Sequence, residues 1–389
     1  MNTTQRAGLL QRWSVVQEEL IPGLGREVEG LTPKLEKLIH TLEWARIEDF
    51  VAAWQGIGRP PKDRSALANS FVAKAVLGLP TTVALIDRLT VDRALQRICG
   101  FPRWKKLPDE ATFSRAFAEF ANSRLAERVH QALIEAHLGS ELIGHISRDG
   151  TAIEARERPA KPAPAPVETI SAAAQAVLPD TTPAPAATVA PVPTKKRGRP
   201  RRDETRAPKL TRIEQQRGQT LVQMQDDLPR ACDRGTKCNA QGYKVSWNGY
   251  KLHIDTADCG VPVAAILSSA SMHDSQAAIP LSHLTAARVT NLYDVMDAAY
   301  CSAELRAHCK DLGHVPLIDH NPRGGEKIEF DPAEAMRYNE RTVAERMNAR
   351  LKDEFGGNHI WVKGNTKVMS HLMFGLLVLT VDQLMRLLQ

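Results

Sequence analysis

The chain has 389 residues, of which 43% are hydrophobic and 25% are charged, and these values are ordinary for folded proteins. They exclude wholesale disorder, and the length allows two or three domains. The net charge of +6 favours an anionic partner, nucleic acid first. The six cysteines are scattered without a C-x-x-C pair, which predicts reduced thiols and argues against a zinc site or a disulfide framework. We therefore expect a soluble, cytoplasmic protein.

Residues 1–139 have the spacing of helices, with apolar residues three and four apart and proline or glycine breakers between the segments. This pattern predicts an all-α N-terminal domain of five or six helices. Two stretches are especially regular: residues 65–77, and the segment after Pro108. In the second stretch Phe113, Phe117 and Phe120 are expected to share one helix face.

The C-terminal run at residues 368–388 is the only candidate for a membrane span. His371, Asp382, Gln383 and Arg386 interrupt this run. Because a spanning helix needs about 20 predominantly apolar residues, we expect a buried amphipathic helix instead.

Between about residues 159 and 206 the composition changes to proline and alanine, with a basic cluster at residues 195–202. Such a stretch cannot bury enough apolar surface to offset the entropy of ordering, so we expect a flexible insertion. The sequence Arg-Gly-Arg-Pro at residues 197–200 resembles the core of an AT-hook, which lies in the minor groove of A·T-rich DNA. Basic tracts are also common in linkers. The candidate DNA-binding residues in this cluster are Arg197, Arg199, Arg201 and Arg202.

The pattern after residue 241 changes to strands that alternate with helices. Five strands are predicted, at residues 142–148, 250–256, 261–267, 291–296 and 315–318, and helices at residues 275–287, 303–312 and about 333–355. A turn at residues 258–260 joins the second and third strands. The order β, then β-β-α-β-α-β-α, is that of a ribonuclease-H-like fold. We therefore expect an α/β catalytic domain over residues 140–389, with a mixed five-stranded sheet flanked by helices.

Two acids fall at the ends of strands in this order. Asp149 ends the first predicted strand and Asp297 follows the fourth, and these strands are expected to be parallel neighbours. Carboxylates at such a position lie in the crevice where open α/β sheets bind ligands, and they suit Mg²⁺, a hard cation that takes oxygen ligands. Each acid also has a local interpretation, Asp149 as a turn residue and Asp297 as a helix N-cap.

The last predicted helix carries four glutamates that compete for the role of third acid: Glu334, Glu340, Glu345 and Glu354. One face of this helix collects an aromatic ring, two cations and one carboxylate: Tyr338, Arg341, Glu345 and Lys352. Glu340 and Glu354 point away from this face. Glu334 shares it but lies about three turns earlier, so the angle alone leaves Glu334 open.

The spacing of these four residues resembles the signature Y-x2-R-x3-E-x6-K of the bacterial insertion-sequence DDE transposases, and this resemblance favours Glu345 over Glu334. Residues 147–151 and 297–300 resemble the first and second aspartate blocks of that family. Residues 58–115 resemble the helical N-terminal domain that is often fused to these enzymes. Outside the N-terminal domain, the resemblance covers about residues 140–158 and 240–389.

Two further segments, Gly-Tyr-Lys at residues 249–251 and His-Asp-Ser at residues 273–275, sit where family members carry similar sequences. His273 could approach the metals, although a loop histidine bonded to the backbone is the simpler interpretation. Asp274 could equally cap the helix that starts at Ser275.

The family resemblance implies metal-dependent cleavage of double-stranded DNA at the ends of a mobile element and transfer of the 3′-hydroxyl ends into target DNA. Two Mg²⁺ ions, or Mn²⁺ in their place, would be held by three residues: Asp149, Asp297 and Glu345. DNA phosphates beside the scissile bond would be gripped by Tyr338, Arg341 and Lys352. The resemblance also implies a homodimer or larger homo-oligomer in a synaptic complex, with residues 1–139 contributing to end binding and assembly.

Two other functions stay open at this stage. A metal-dependent nuclease would hydrolyse DNA with the same triad but without strand transfer. A DNA-binding regulator descended from a transposase would need no triad, and the complete set of acids argues against it. Inverted repeats flanking the coding region would distinguish these functions most cheaply.

Overall fold

The computed structural model of the chain describes residues 31–52, 63–102, 105–159, 210–238, 241–322 and 325–387. The predicted insertion from residue 160 onward lies outside the described residues. Its four candidate DNA-binding residues, Arg197, Arg199, Arg201 and Arg202, lie outside them as well.

Six α-helices precede the sheet in the described residues: α1 (Pro33–Ala45), α2 (Arg64–Val76), α3 (Thr82–Val91), α4 (Arg93–Ile98), α5 (Glu110–Asn122) and α6 (Leu125–Leu138). This agrees with the predicted number of helices. Side-chain oxygens cap the N-termini of the first five by accepting backbone N–H groups: Thr32, Asp63, Thr81, Asp92 and Asp109. The regular face of α5 is confirmed as buried, because Phe113, Phe117 and Phe120 all pack around Phe71 of α2.

A mixed sheet of six strands follows the helices. Its strands are β1 (Leu142–Glu154), β2 (Asp233–Cys238), β3 (Lys244–Ala257), β4 (Pro262–Ser269), β5 (Thr290–Met296) and β6 (Val315–Ile318). The order across the sheet is β2-β3-β1-β5-β6, and β4 also pairs with β3. β5 is parallel to β1 and β6, whereas the other pairs are antiparallel. The helical region followed by a mixed sheet is consistent with a ribonuclease-H-like domain.

Two details of the sheet correct the sequence-based expectation. The described residues form six strands and not the five predicted. The additional strand is β2, which pairs with the first residues of β3. Its polar sequence has no apolar alternation, so the sequence did not predict it. β1 also continues past Asp149, since its pairing with β3 extends to Glu154 opposite Gly249. Asp149 is therefore inside β1, at the point where the parallel pairing with β5 has just ended.

The helices after the first strand are α7 (Arg212–Gln216), α8 (Leu221–Asp227), α9 (Ser275–Ala286) and α10 (Ala303–Asp311). The prediction of one continuous helix over about residues 333–355 is wrong in one respect. The helix is divided into α11 (Pro332–Tyr338), a 3₁₀ turn (Asn339–Arg341) and α12 (Thr342–Glu354). No proline or glycine marks the division in the sequence, so neither of the usual breakers announces it.

The C-terminal helix α13 (Asn365–Arg386) confirms the prediction of a buried helix. It is long and apolar enough to cross a membrane, but 78% of its most apolar stretch is buried inside the protein. It packs against α1, α2, α5, α6 and β4. The apolar core is therefore continuous from the N-terminal helices to the sheet, and the predicted boundary near residue 139 falls between α6 and β1 without interrupting it.

Candidate active site

The first two predicted acids lie side by side at one edge of the sheet. The parallel pairing of β1 with β5 ends where Arg148 lies opposite Met296. The next residue on each side is an acid, Asp149 on β1 and Asp297 directly after β5. Asp297 also fulfils the local interpretation, because its Oδ1 accepts a hydrogen bond of 3.0 Å from the Ala299 N–H at the start of a 3₁₀ turn. The cap and the paired carboxylates therefore coexist.

The two aspartates carry an excess of negative charge that the protein compensates only in part. Burial and the negative charge of Asp297 raise the pKa of Asp149 to about 6. Burial also raises the pKa of Asp297. A side chain from α12 contacts Asp149, because Asn348 Nδ2 donates to Asp149 Oδ2 at 2.8 Å. Two carboxylates beside each other favour protonation of one of them, and a bound cation would relieve the repulsion.

The third predicted acid, Glu345, lies in the first turn of α12. A groove of about 610 Å³ is lined by both Asp149 and Glu345. The Glu345 carboxylate is 53% exposed and accepts a hydrogen bond of 2.6 Å from Arg341. Across the residues that the structure describes, no three His, Cys, Asp or Glu side chains are close enough together to hold a metal ion. Asp149 and Asp297 are thus adjacent, whereas Glu345 shares the groove but is bonded to Arg341.

Of the other residues of the Y-R-E-K spacing, Lys352 lines the same groove, whereas Tyr338 and Arg341 are outside its lining and connect to it through Glu345. Tyr338 stacks on Phe330 with 4.9 Å between ring centroids, and the Arg341 guanidinium carbon lies 5.9 Å from the Tyr338 ring centre. Lys352, on the last turns of α12, lines the groove directly. The division of the predicted helix therefore leaves Arg341 in contact with both Tyr338 on α11 and Glu345 on α12.

The side chains at the site suit a divalent cation that prefers oxygen. Asp149 and Asp297 offer carboxylate oxygens, and Glu345 offers a third across the groove. Asn348 Oδ1 is buried and has no hydrogen-bond partner among the described residues, so it is a further oxygen of the right chemistry. The sequence analysis missed Asn348. Its position three residues after Glu345, on the same helix face, is the signal that could have found it.

The His-Asp-Ser segment lies against the site, but not in the way that either simple interpretation expected. Asp274 makes no capping bond to α9, and its Oδ1 instead lies 3.0 Å from Lys251 Nζ. His273 lines the groove, and its Nδ1 is bonded to the Ser275 hydroxyl at 2.8 Å rather than to the backbone. A Cβ on Gly150 would come within 3.0 Å of Asp274 Oδ1, so glycine beside Asp149 lets the Asp274 carboxylate approach.

A fully buried charge network lies on the other side of β1. Arg148, which is 2% exposed, donates two hydrogen bonds of 2.8 and 2.7 Å to Asp255 of β3. The Thr285 hydroxyl donates to the same carboxylate at 2.6 Å. Arg148 also lies 3.8 Å from Asp294 of β5, whose second oxygen is 2.9 Å from His314 Nδ1. The network joins β1, β3 and β5 directly beneath the acidic groove.

Two protein families match the chain. The family described as Transposase domain (DUF772) matches residues 23–119, and the family described as Transposase DDE domain matches residues 219–381. The second match includes Asp297 and Glu345, whereas Asp149 lies outside both matched ranges. Neither a curated protein nor a solved structure matches the chain. Together the two family matches identify the chain as a DDE transposase of the insertion-sequence type, and thus as an enzyme of the polynucleotidyl transferase class.

Proposed function

We propose that this transposase cuts DNA at the ends of its own mobile element and transfers the 3′-hydroxyl ends into target DNA. The observation that carries the proposal is the adjacency of Asp149 and Asp297 at the end of the parallel β1–β5 pairing. The groove that contains Asp149 also contains Glu345, whereas Glu334 lies exposed on α11 and does not line it. These positions support Asp149, Asp297 and Glu345 as the catalytic carboxylates.

Enzymes of this family generally use divalent metal ions. We assign the three carboxylates as the ligands of two such ions, Mg²⁺ or Mn²⁺, which would supply activation of the attacking oxygen and stabilisation of the leaving oxygen. Asn348 fixes the orientation of Asp149 through its 2.8 Å hydrogen bond. The Arg341 guanidinium holds Glu345 beside the groove in the protein without DNA.

The cations around the groove are the groups that would bind DNA. Arg341 can pair with a phosphate through two N–H groups, and Lys352 supplies a point charge. Tyr338 is positioned by its stacking on Phe330, next to Arg341. We assign end recognition and assembly of a homodimer or larger synaptic complex to the N-terminal helical region, which the Transposase domain (DUF772) family matches.

The experiment uses duplexes that carry the repeats flanking the gene, together with a supercoiled target plasmid, in Mg²⁺. We expect nicks at the element ends and covalent joining of those ends to the plasmid. Nicking without any joined product would overturn strand transfer and leave a nuclease. Binding without nicking would overturn the enzymatic proposal altogether. The Asp149→Asn variant is the control for contaminating nuclease, because it should bind the ends without nicking them.

A further inference from the structure

A two-stranded ribbon projects beside the active-site groove. β2 pairs with β3 from Asp233 opposite Gly249 to Cys238 opposite Lys244. Over this stretch β3 has no other partner strand among the described residues, because its pairing with β1 and β4 begins at residues 249 and 250. Most of its side chains are exposed. This ribbon, residues 233–238 and 244–248, is therefore a surface element and contributes little to the core.

The ribbon lines the groove through Thr236, Lys237 and Trp247, and Lys237 and Trp247 are on one face. Gly235 lies opposite Trp247, and Lys237 lies opposite Val245, so these residues share a face by the alternation of strands. Trp247 and Lys237 both line the groove that contains Asp149. The close packing of Trp247 on Gly235, where a Cβ would fall within 2.4 Å of the ring, fixes this face. Lys244 is on the opposite face, because it pairs with Cys238, one residue further along.

Two lysines from separate elements line the groove together with its carboxylates, which include Asp149, Glu345 and Asp353. Lys237 from the ribbon and Lys352 from α12 both line it. The structure shows no hydrogen bond or ion pair of either lysine with a described residue, although the carboxylates of Glu154, Asp149 and Asp353 act on Lys352. Burial, and next the positive charge of Lys237, lower the pKa of Lys352. Two cations brought together by separate elements repel each other, and a phosphate group bound between them would reverse that cost.

We propose that Lys237 and Lys352 form a phosphate clamp that holds the DNA backbone in the active-site groove. The clamp places one cation on α12 and one on the β2–β3 ribbon, so the strand would be gripped from both sides next to Asp149. This inference rests on the proposed function, because the anion is a phosphate of the DNA substrate. It adds Lys237, a residue outside the Y-R-E-K spacing, to the binding site.

The test compares Lys237→Met with Lys244→Met, which removes the same charge from the opposite face of the same ribbon. Binding of a fluorescent duplex that carries the element end is measured in EDTA by anisotropy at several salt concentrations. We expect Lys237→Met to weaken binding about three- to tenfold and to reduce the salt slope by about 0.9, the value for one lost phosphate contact. Lys244→Met should bind as the wild type does. Equal behaviour of the two variants would overturn the clamp.

Lysine acetylation of the wild-type protein gives a second readout that needs no variant. Bound duplex should protect Lys237 and Lys352 from acetylation and leave Lys244 reactive, as measured by mass spectrometry. Undiminished acetylation of Lys237 in the complex would contradict the proposal. If wild-type protein nicks the duplex and Lys237→Met binds normally, only the clamp fails. If wild-type protein neither binds nor nicks, the proposed function fails first.

Discussion

Arg148 and Asp149 are neighbours in the chain, yet they belong to two charge clusters of opposite character. Arg148 is 2% exposed and satisfied by two hydrogen bonds to Asp255, with Asp294 close by. Asp149 lines a groove, and burial together with the nearby charge of Asp297 raises its pKa to about 6. The inner cluster is paired within the protein, whereas the groove cluster is left with net negative charge. Adjacent residues thus carry a charge that stabilises the fold and a charge that is available to a cation.

The largest expected effect on stability comes from breaking the inner cluster. Arg148→Met leaves Asp255 and Asp294 buried without their counter-ion, so we expect the free energy of unfolding to fall by about 3–5 kcal/mol in urea denaturation. The double variant Arg148→Met/Asp255→Leu removes both members of the closest pair and should recover part of the loss. A loss below about 1 kcal/mol in the single variant would show that the network is not structural.

In the groove cluster we expect removal of a charge to raise the free energy of unfolding, the opposite of the effect at Arg148. The pKa of Asp149 is about 6 in the folded protein, above the value near 4 of an unfolded chain, so the protein loses stability as the pH rises from about 4 to about 6. Asp149→Asn does not undergo this loss. In EDTA we expect the variant to be more stable than wild type by about 1–3 kcal/mol at pH 7 and equal to it near pH 4.

The check is a series of urea denaturations between pH 4 and pH 7. Parallel stability profiles for wild type and Asp149→Asn would contradict the raised pKa of Asp149, which burial and then the charge of Asp297 produce. Added Mg²⁺ should stabilise wild type and leave the variant nearly unchanged, because the cation binds the folded protein through these carboxylates.

The smallest effect on stability is expected at Glu345. Its ion pair with Arg341 joins a 53% exposed carboxylate to a guanidinium on the same helical segment, and such surface pairs contribute about 0–1 kcal/mol. Glu345→Gln should therefore unfold within about 1 kcal/mol of wild type in urea. A loss above about 2 kcal/mol would mean that Glu345 is a structural residue, like Arg148.

The sequence predicted the strands of the core and the residues that follow them, because alternation and turn residues are local signals. It did not predict that Arg148 is buried, since a charged residue is normally exposed and its partners Asp255 and Asp294 are more than a hundred residues away. The ribbon strand β2 was missed for a related reason. A strand exposed on both faces has no apolar alternation to reveal it.

The candidate site was predictable to a similar degree. Asp149 and Asp297 could be proposed from strand order, and Glu345 from the resemblance of its spacing to the Y-R-E-K signature. The break at residues 339–341 could not be inferred, because it carries no proline or glycine. Lys237 could not be separated from other polar surface residues without the contacts made in the fold, whereas Asn348 was marked in the sequence by its place three residues after Glu345.

The central claim is that Asp149, Asp297 and Glu345 act together in DNA cleavage. The most direct test measures strand nicking in Mg²⁺, and binding in EDTA, for Asp149→Asn, Asp297→Asn, Glu345→Gln and the control Glu340→Gln. We expect the first three to lose nicking by about 10²–10³-fold or more while still binding the element ends, and the control to nick almost normally. Normal nicking by Glu345→Gln together with loss of nicking in Glu340→Gln would contradict the assignment of Glu345 as the third carboxylate. Normal nicking by all four variants would contradict the catalytic site itself.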